Sequence, residues 1–210
     1  MIGKIENEQW ELQIRLDTSG LGDPRAPKPF WTTMVCGHRR YDRLGDIQVD
    51  LSKFESWNEV LSHHMDDPEH DLAIIYPISL LDHSGLRMRL GRHSGWDIGQ
   101  VGWIFVEGKD VIRYAEEHNF ADVEEAKEEL DAYVRHEVHE YDLWVWGSVY
   151  EVVLLGKNKC DCCGNVDMIH TESLCGILAD STEEILDEFE HYIGSLEEFN
   201  LDREAYEEVR

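Results

Sequence analysis

Residues 76–106, YPISLLDHSGLRMRLGRHSGWDIGQVGWIFV, form the most apolar stretch of an otherwise acidic chain. Glycine-containing turns cut it into runs of strand length, rich in Ile, Leu, Val and Trp. Such residues suit a pleated, half-buried surface. The pattern therefore predicts a central sheet with strands over 71–81, 86–90 and 100–106, with its polar groups collected at the turns. His-Ser-Gly occurs there twice, as His83-Ser84-Gly85 and His93-Ser94-Gly95. Asp82-His83-Ser84-Gly85 has Asp first and Gly fourth, as a tight turn prefers. In 86–90, Arg87 and Arg89 alternate with Leu86, Met88 and Leu90, so the two sets face opposite ways.

The flanking chain supplies further elements. Residues 11–16 alternate polar and apolar and read as a strand. Residues 19–24 break it, and Pro24, Pro27 and Pro29 keep the segment irregular. Residues 31–36 form another short strand. It runs into His38-Arg39-Arg40-Tyr41-Asp42-Arg43, the only basic cluster in the chain. Its arginines can bind an anion or neutralise nearby carboxylates. Ser56 with Glu59 has capping-box spacing and opens a helix to about His64, ended by Asp66-Asp67-Pro68. Glu107-Gly108-Lys109-Asp110 reads as a turn. Asp122 caps a helix over 123–140, with Leu130, Tyr133, Val134 and Val138 on its apolar face. Residues 143–155, LWVWGSVYEVVLL, read as a long strand. Ser181 with Glu184 opens a helix to about Phe199, with Ile185, Phe189, Tyr192 and Ile193 buried. Residues 202–209 suit a short last helix. The fold class is α+β: a mostly antiparallel central sheet, three or four helices and a small Cys-rich segment over 157–178. The expected organisation is a core over 1–180, with acidic helices at 181–210 packed on it.

Charge narrows the function. The chain of 210 residues carries 19 basic and 45 acidic side chains, for a net charge of −26. Residues 1–110 carry 12 and 18, net −6, and residues 111–210 carry 7 and 27, net −20. Such a field repels nucleic acid and anionic membranes and attracts basic protein surfaces. The start, MIGKIENEQW, lacks the apolar core of a signal peptide, and no run reaches membrane-spanning length. A cytoplasmic protein is expected, with no direct nucleic-acid or membrane contact.

Four of the five cysteines fall within 160–175, which in a reducing compartment points to metal rather than disulfides. Cys160-x-x-Cys163 has the spacing that brings two thiolates to one tetrahedral zinc. Cys162, His170 and Cys175 are the candidates to complete the set, giving a structural zinc site. A second constellation gathers Asp82, His83, Ser84, His93, Ser94, Asp97 and Gln100, the residue types of hydrolase chemistry. Gly91-Arg92-His93-Ser94-Gly95 is not a nucleophile elbow, because its Ser stands one place late. His136-Glu137-Val138-His139 has its histidines three apart and cannot form the zincin pair. It reads, like Glu188 with His191, as a solvated helix face.

The segments His38-Arg39-Arg40-Tyr41-Asp42-Arg43-Leu44-Gly45-Asp46, Tyr76-Pro77, Asp82-His83-Ser84-Gly85, Trp96-Asp97-Ile98-Gly99-Gln100-Val101-Gly102, Trp146-Gly147-Ser148-Val149-Tyr150 and Ser173-Leu174-Cys175-Gly176 carry a resemblance. In this order they resemble a family of proteins of unassigned activity carried by phages, plasmids and integrative elements. The resemblance covers about residues 35–180. It implies a mobile-element origin, a bacterial cytoplasm, and a shared site at Asp82, His83, Asp97 and Gln100. Ser173-Leu174-Cys175-Gly176 departs from an aromatic-rich version of that motif.

Two functions follow as expectations. One is an acidic accessory protein that binds a basic, DNA-binding host or defence protein by DNA mimicry, of anti-restriction type. Its contact residues would be Glu124, Glu125, Glu128, Glu129, Glu183, Glu184, Asp187 and Glu188. The other is a small hydrolase or metal-dependent enzyme centred on the two His-Ser-Gly turns.

Overall fold

The structure is a computed structural model and describes residues 2–20, 22–26, 30–65 and 69–209. Pro27, Pro29 and the Asp66-Asp67-Pro68 helix stop lie outside the described residues. The fold is α+β, with four α-helices and two mostly antiparallel five-stranded sheets among the described residues. The chain divides into two units, one of 1–22 with 147–210 and one of 23–146. This replaces the expected 1–180 core. The reason is pairing: strands near the N-terminus close a sheet with strands after residue 147, and the middle of the chain builds a sheet of its own.

The second unit holds β3 (Thr33–Cys36), β4 (Ile47–Gln48), β5 (Ile74–Asp82), β6 (Leu86–Leu90) and β7 (Ile98–Val106) in the order β4-β3-β7-β5-β6. Only the β3–β4 pair is parallel. Alternation along the strands sorts two faces. Met34, Cys36, Ile104 and Val106 pack under helices α2 (Gly108–Glu117) and α3 (Val123–Trp146), against Val111, Leu130, Val134 and Tyr141. Val35, Trp103 and Phe105 meet Val60 of α1 (Trp57–His64). The α1 cap is as its sequence predicts, with Glu59 N donating to Ser56 Oγ at 3.2 Å and Glu55 N to the Glu59 carboxylate at 2.7 Å.

Three expectations in this unit change. The turn at 107–110 is the start of α2, whose buried Val111, Tyr114 and Ala115 face the sheet. Residues 143–146 continue α3 instead of opening a strand, because Leu143 is buried and Trp144 packs on Tyr141 at 5.3 Å between ring centres. Burial on one helical stripe outweighs β-propensity here. The helix stops where Gly147 takes φ +87°, a left-handed value that glycine adopts without strain. Glu137 is not on a solvated face. It is buried against Arg25, which also grips Asp46 with bonds of 3.0 and 2.8 Å. Arg25 Nη1 lies 3.4 Å from Glu137 Oε2, an ion pair without hydrogen-bond alignment. Thr32 donates to the same carboxylate. Burial works against the charge on Arg25, but the Asp46 and Glu137 carboxylates outweigh it and its pKa rises. Burial likewise pushes Glu137 up, with Arg25 pulling it back.

The first unit holds β1 (Gly3–Glu6), β2 (Trp10–Leu16), β8 (Val149–Lys159), β9 (Val166–Leu178) and β10 (Glu207–Glu208), all antiparallel, in the order β10-β1-β2-β8-β9. Helix α4 (Thr182–Ile193) buries Ile185, Leu186 and Phe189 against Leu12, Ile14, Val152 and Leu154. Its capping box holds, with Glu184 N donating to Ser181 Oγ at 3.2 Å. Tyr192 is exposed rather than buried. The expected helix over 202–209 is a single 3₁₀ turn, Arg203–Ala205, followed by β10. The Cys-rich segment is a hairpin. β2 pairs with β8 only as far as Gly156, so the ends of β8 and β9 run on as a two-stranded arm.

Candidate functional site

In the second unit, three separated segments meet at one end of the sheet. They line a cleft of about 280 Å³ with His38, Arg39, Arg40, Asp82, Trp96, Asp97 and Gln100. Each segment is delivered by a strand. β3 leads to residues 38–41 and is held to β7 by Gly37 N donating to Val101 O at 2.9 Å. β5 ends at Asp82, whose N–H donates to Asp97 O at 2.9 Å. A register shift between Ile78 and Ser79, opposite Gly102 and Gln100, places an extra residue on β7 just before the cleft. Such a bulge re-aims the side chains that follow it. Buried Ser79 donates to Gly91 O at 2.8 Å and accepts from His93 N at 3.0 Å, which pins the preceding loop.

Asp82 is a clamp. Its carboxylate pairs with Arg40 and accepts from Tyr41 Oη at 3.2 Å, tying 38–41 to the end of β5. His38 stacks on Tyr41 at 4.8 Å, and its Nδ1 accepts from Arg40 N at 3.2 Å. Partial burial, then the charges of Arg40 and Arg39, lower the His38 pKa. His83 Nδ1 lies 3.0 Å from Asp97 Oδ2. Arg39 is exposed and makes no ion pair among the described residues. Trp96 is 99% exposed at the rim, an unusual state for the largest apolar ring.

The structure brings Asp82, Asp97 and Gln100 into the cleft, sets His83 against Asp97 outside the cleft lining, and leaves out three expected members. His93 turns to Leu90 O at 2.9 Å. Ser84 occupies the tip of the turn with φ +57°, and neither it nor Ser94 lines the cleft. The turn geometry is the reason. Gly85 must pass Trp146 so closely that an added Cβ would lie 2.3 Å from the ring. A Ser-His-Asp set is not assembled; a His–Asp pair is. His38, Arg39, Arg40 and Trp96 join the cleft without being among the candidates for catalysis, although the resemblance already grouped their motifs with Asp82 and Asp97.

The cysteine cluster sits at the tip of the arm in the first unit. Sγ atoms of Cys160, Cys162 and Cys163 all lie within 4.8 Å of one another, close enough to hold a metal ion. The turn is closed by Gly164 N donating to Cys160 O at 2.8 Å and Cys160 N to Asn165 O at 2.8 Å. Cys162 Sγ, 2.9 Å from Cys160 Sγ, and then the N–H groups of Cys162 and Cys163 pull the Cys160 thiol down to about 6. Cys162 is raised by the same pairing. His170 and Cys175 do not join. His170 pairs with Leu155, five residues before Cys160, which is about 16 Å at strand spacing. Cys175 follows Leu174, which pairs with Val152, eight residues before Cys160, so it lies more than about 26 Å away on the same measure.

The eight carboxylates expected to bind a partner divide between the units. Glu124, Glu125, Glu128 and Glu129 lie on α3, and Glu183, Glu184, Asp187 and Glu188 on α4, all exposed. Three have internal partners: Glu129 accepts from Tyr114 Oη at 2.6 Å, Glu184 from Asp180 N at 2.8 Å and Asp187 from Arg203 at 2.7 Å. Among the described residues no helix is long and apolar enough to cross a membrane. Comparison with known protein families, with curated proteins and with solved structures gives no match.

Proposed function

We propose that the protein is an accessory protein of a phage, plasmid or integrative element, acting in the bacterial cytoplasm, and that its working site is the cleft at Asp82, His83 and Asp97. The observation that carries this reading is the meeting of 38–40, Asp82 and 96–100 in one cleft, with His83 held beside it by its contact with Asp97. They belong to three of the segments that carry the resemblance. In this reading the cleft takes an anionic group. Arg39 offers an exposed guanidinium, whereas Arg40 is committed to Asp82. His83 is the acid–base group of this reading, since Asp97 engages its Nδ1 and leaves Nε2 to exchange a proton. The matching activity is hydrolysis with water as nucleophile: His83 takes the proton of the attacking water, and the leaving oxygen departs as the new bond forms. The test is an NMR titration with inorganic pyrophosphate that follows the imidazole resonances. A saturable shift of His83, lost in Arg39→Ala, supports the reading. No shift at millimolar pyrophosphate contradicts it.

A second reading rests on the exposure of all eight carboxylates on α3 and α4. Here the acidic helices bind a basic, DNA-binding host or defence protein in place of DNA. Clustered carboxylates concentrate counterions as phosphates do, so complex formation should weaken steeply with salt. A complex insensitive to salt would remove this reading.

For the cysteine cluster we propose zinc. Three thiolates form a soft donor set that favours zinc over magnesium or calcium. Elemental analysis of protein prepared without chelator should find about one zinc per chain. Finding none removes the assignment.

A further inference from the structure

Resting on the reading of the cysteine cluster as a metal site, we propose that the protein supplies only three ligands, Cys160, Cys162 and Cys163, and leaves a fourth position open to an exchangeable donor. The three sulfurs share one tip, closed by the two backbone bonds at 160–165. Metal–sulfur bonds of about 2.3 Å keep any two ligand sulfurs within about 4.6 Å. Register along the arm puts His170 and Cys175 far beyond that reach. Asp167 pairs with Asn158, two residues before Cys160 and about 7 Å along the strand. Asp161, within the turn, does not belong to the cluster. Cys162 and Cys163 are exposed, so a donor from solution can approach.

A structural zinc is closed by four protein ligands, whereas three leave a position for water or an incoming ligand. Three thiolates around a divalent ion carry a net negative charge. The open position therefore suits a neutral or soft donor, such as water, an imidazole or a thiol, better than a further carboxylate. The site becomes a place where a small donor, or a His or Cys of another molecule, can attach and detach.

Cobalt(II) provides the test, since it reports on ligand number and type through its spectrum. The reduced full chain should take up one equivalent. Each of Cys160→Ser, Cys162→Ser and Cys163→Ser should remove about one third of the sulfur-to-metal charge-transfer intensity, because each removes one of three thiolates. His170→Ala and Cys175→Ser should leave the spectrum unchanged. Added imidazole should shift the visible bands saturably, whatever the protein concentration. A spectrum blind to imidazole, or a loss in His170→Ala or Cys175→Ser, would each overturn the open position. No cobalt uptake at all would instead remove the metal reading on which it rests.

Discussion

His83 Nδ1 lies 3.0 Å from Asp97 Oδ2, although the two residues leave different strands and their chain segments meet only through the β5–β7 pairing. The contact ties the imidazole ring to Asp97, which lines a cleft together with Arg39 and Arg40. Asp82 holds the 38–41 segment in place through Arg40 and Tyr41. One carboxylate thus orients the histidine, and the other positions the basic segment.

Gly102→Ala should disturb the cleft from a distance. A Cβ there would lie 2.2 Å from Val35 O, and backbone cannot swing aside as a side chain can. β3 would have to move off β7, carrying 38–41 with it. The expected cost is about 1–3 kcal/mol in denaturant unfolding, together with weaker pyrophosphate binding. Gly99→Ala, which meets nothing within 4 Å, serves as the tolerant control for the unfolding measurement.

Arg25→Met should be the most damaging substitution of a charged residue in the second unit. It leaves Asp46 and Glu137 buried without their shared cation. Breaking such a group costs about 3–5 kcal/mol. Adding Glu137→Gln should restore part of the loss, since one uncompensated charge disappears. Denaturant midpoints of the single and double variants check both statements.

Acid stability should depend on Glu6. Lys157 and then Lys4 hold its carboxyl down to about 2, from an ordinary 4.5. A depressed carboxylate stabilises the fold fully above its unfolded value, and the contribution is lost as pH falls through the folded one. Wild-type stability should therefore decline between about pH 4.5 and 2. Glu6→Gln should lower stability at neutral pH and flatten that decline, as thermal unfolding at stepped pH would show.

Metal removal should separate two cysteines. Cys36 is fully buried, and burial pushes its thiol up to about 12. Cys36→Ser places a hydroxyl in the core and should cost about 1–3 kcal/mol with or without chelator. Cys160→Ser should destabilise only the metal-loaded protein and become neutral once chelator is added. Melting temperatures with and without chelator check the contrast.

Local signals were legible, and long-range ones were not. Ser56 with Glu59 and Ser181 with Glu184 mark helix starts because a cap is made by residues three apart. The strands around 71–106 show in their own composition. By contrast, Trp144 and Val145 look like strand residues until their packing on α3's stripe is known. Glu137 reads as solvated because its partner Arg25 lies more than a hundred residues away in sequence. The same limit hid the cleft. Asp82, His83 and Asp97 could be nominated from turn chemistry, but the union of Asp82 and Asp97 with His38, Arg39, Arg40 and Trp96 depends on sheet order. It also misplaced His170 and Cys175, which are near Cys160 in sequence and far along the hairpin.

The most direct measurement is a paired comparison in one phage-protection assay. One arm carries His83→Ala and Arg39→Ala, singly. The other carries Glu124, Glu125, Glu128, Glu129, Glu183, Glu184, Asp187 and Glu188 all changed to Gln or Asn. Circular dichroism confirms the fold of each variant. The account predicts that the cleft variants lose function by at least about a hundredfold, the scale of a lost acid–base group, while the neutralised variant keeps it. Full protection by the cleft variants, with loss in the neutralised one, would contradict the assignment of function to the cleft.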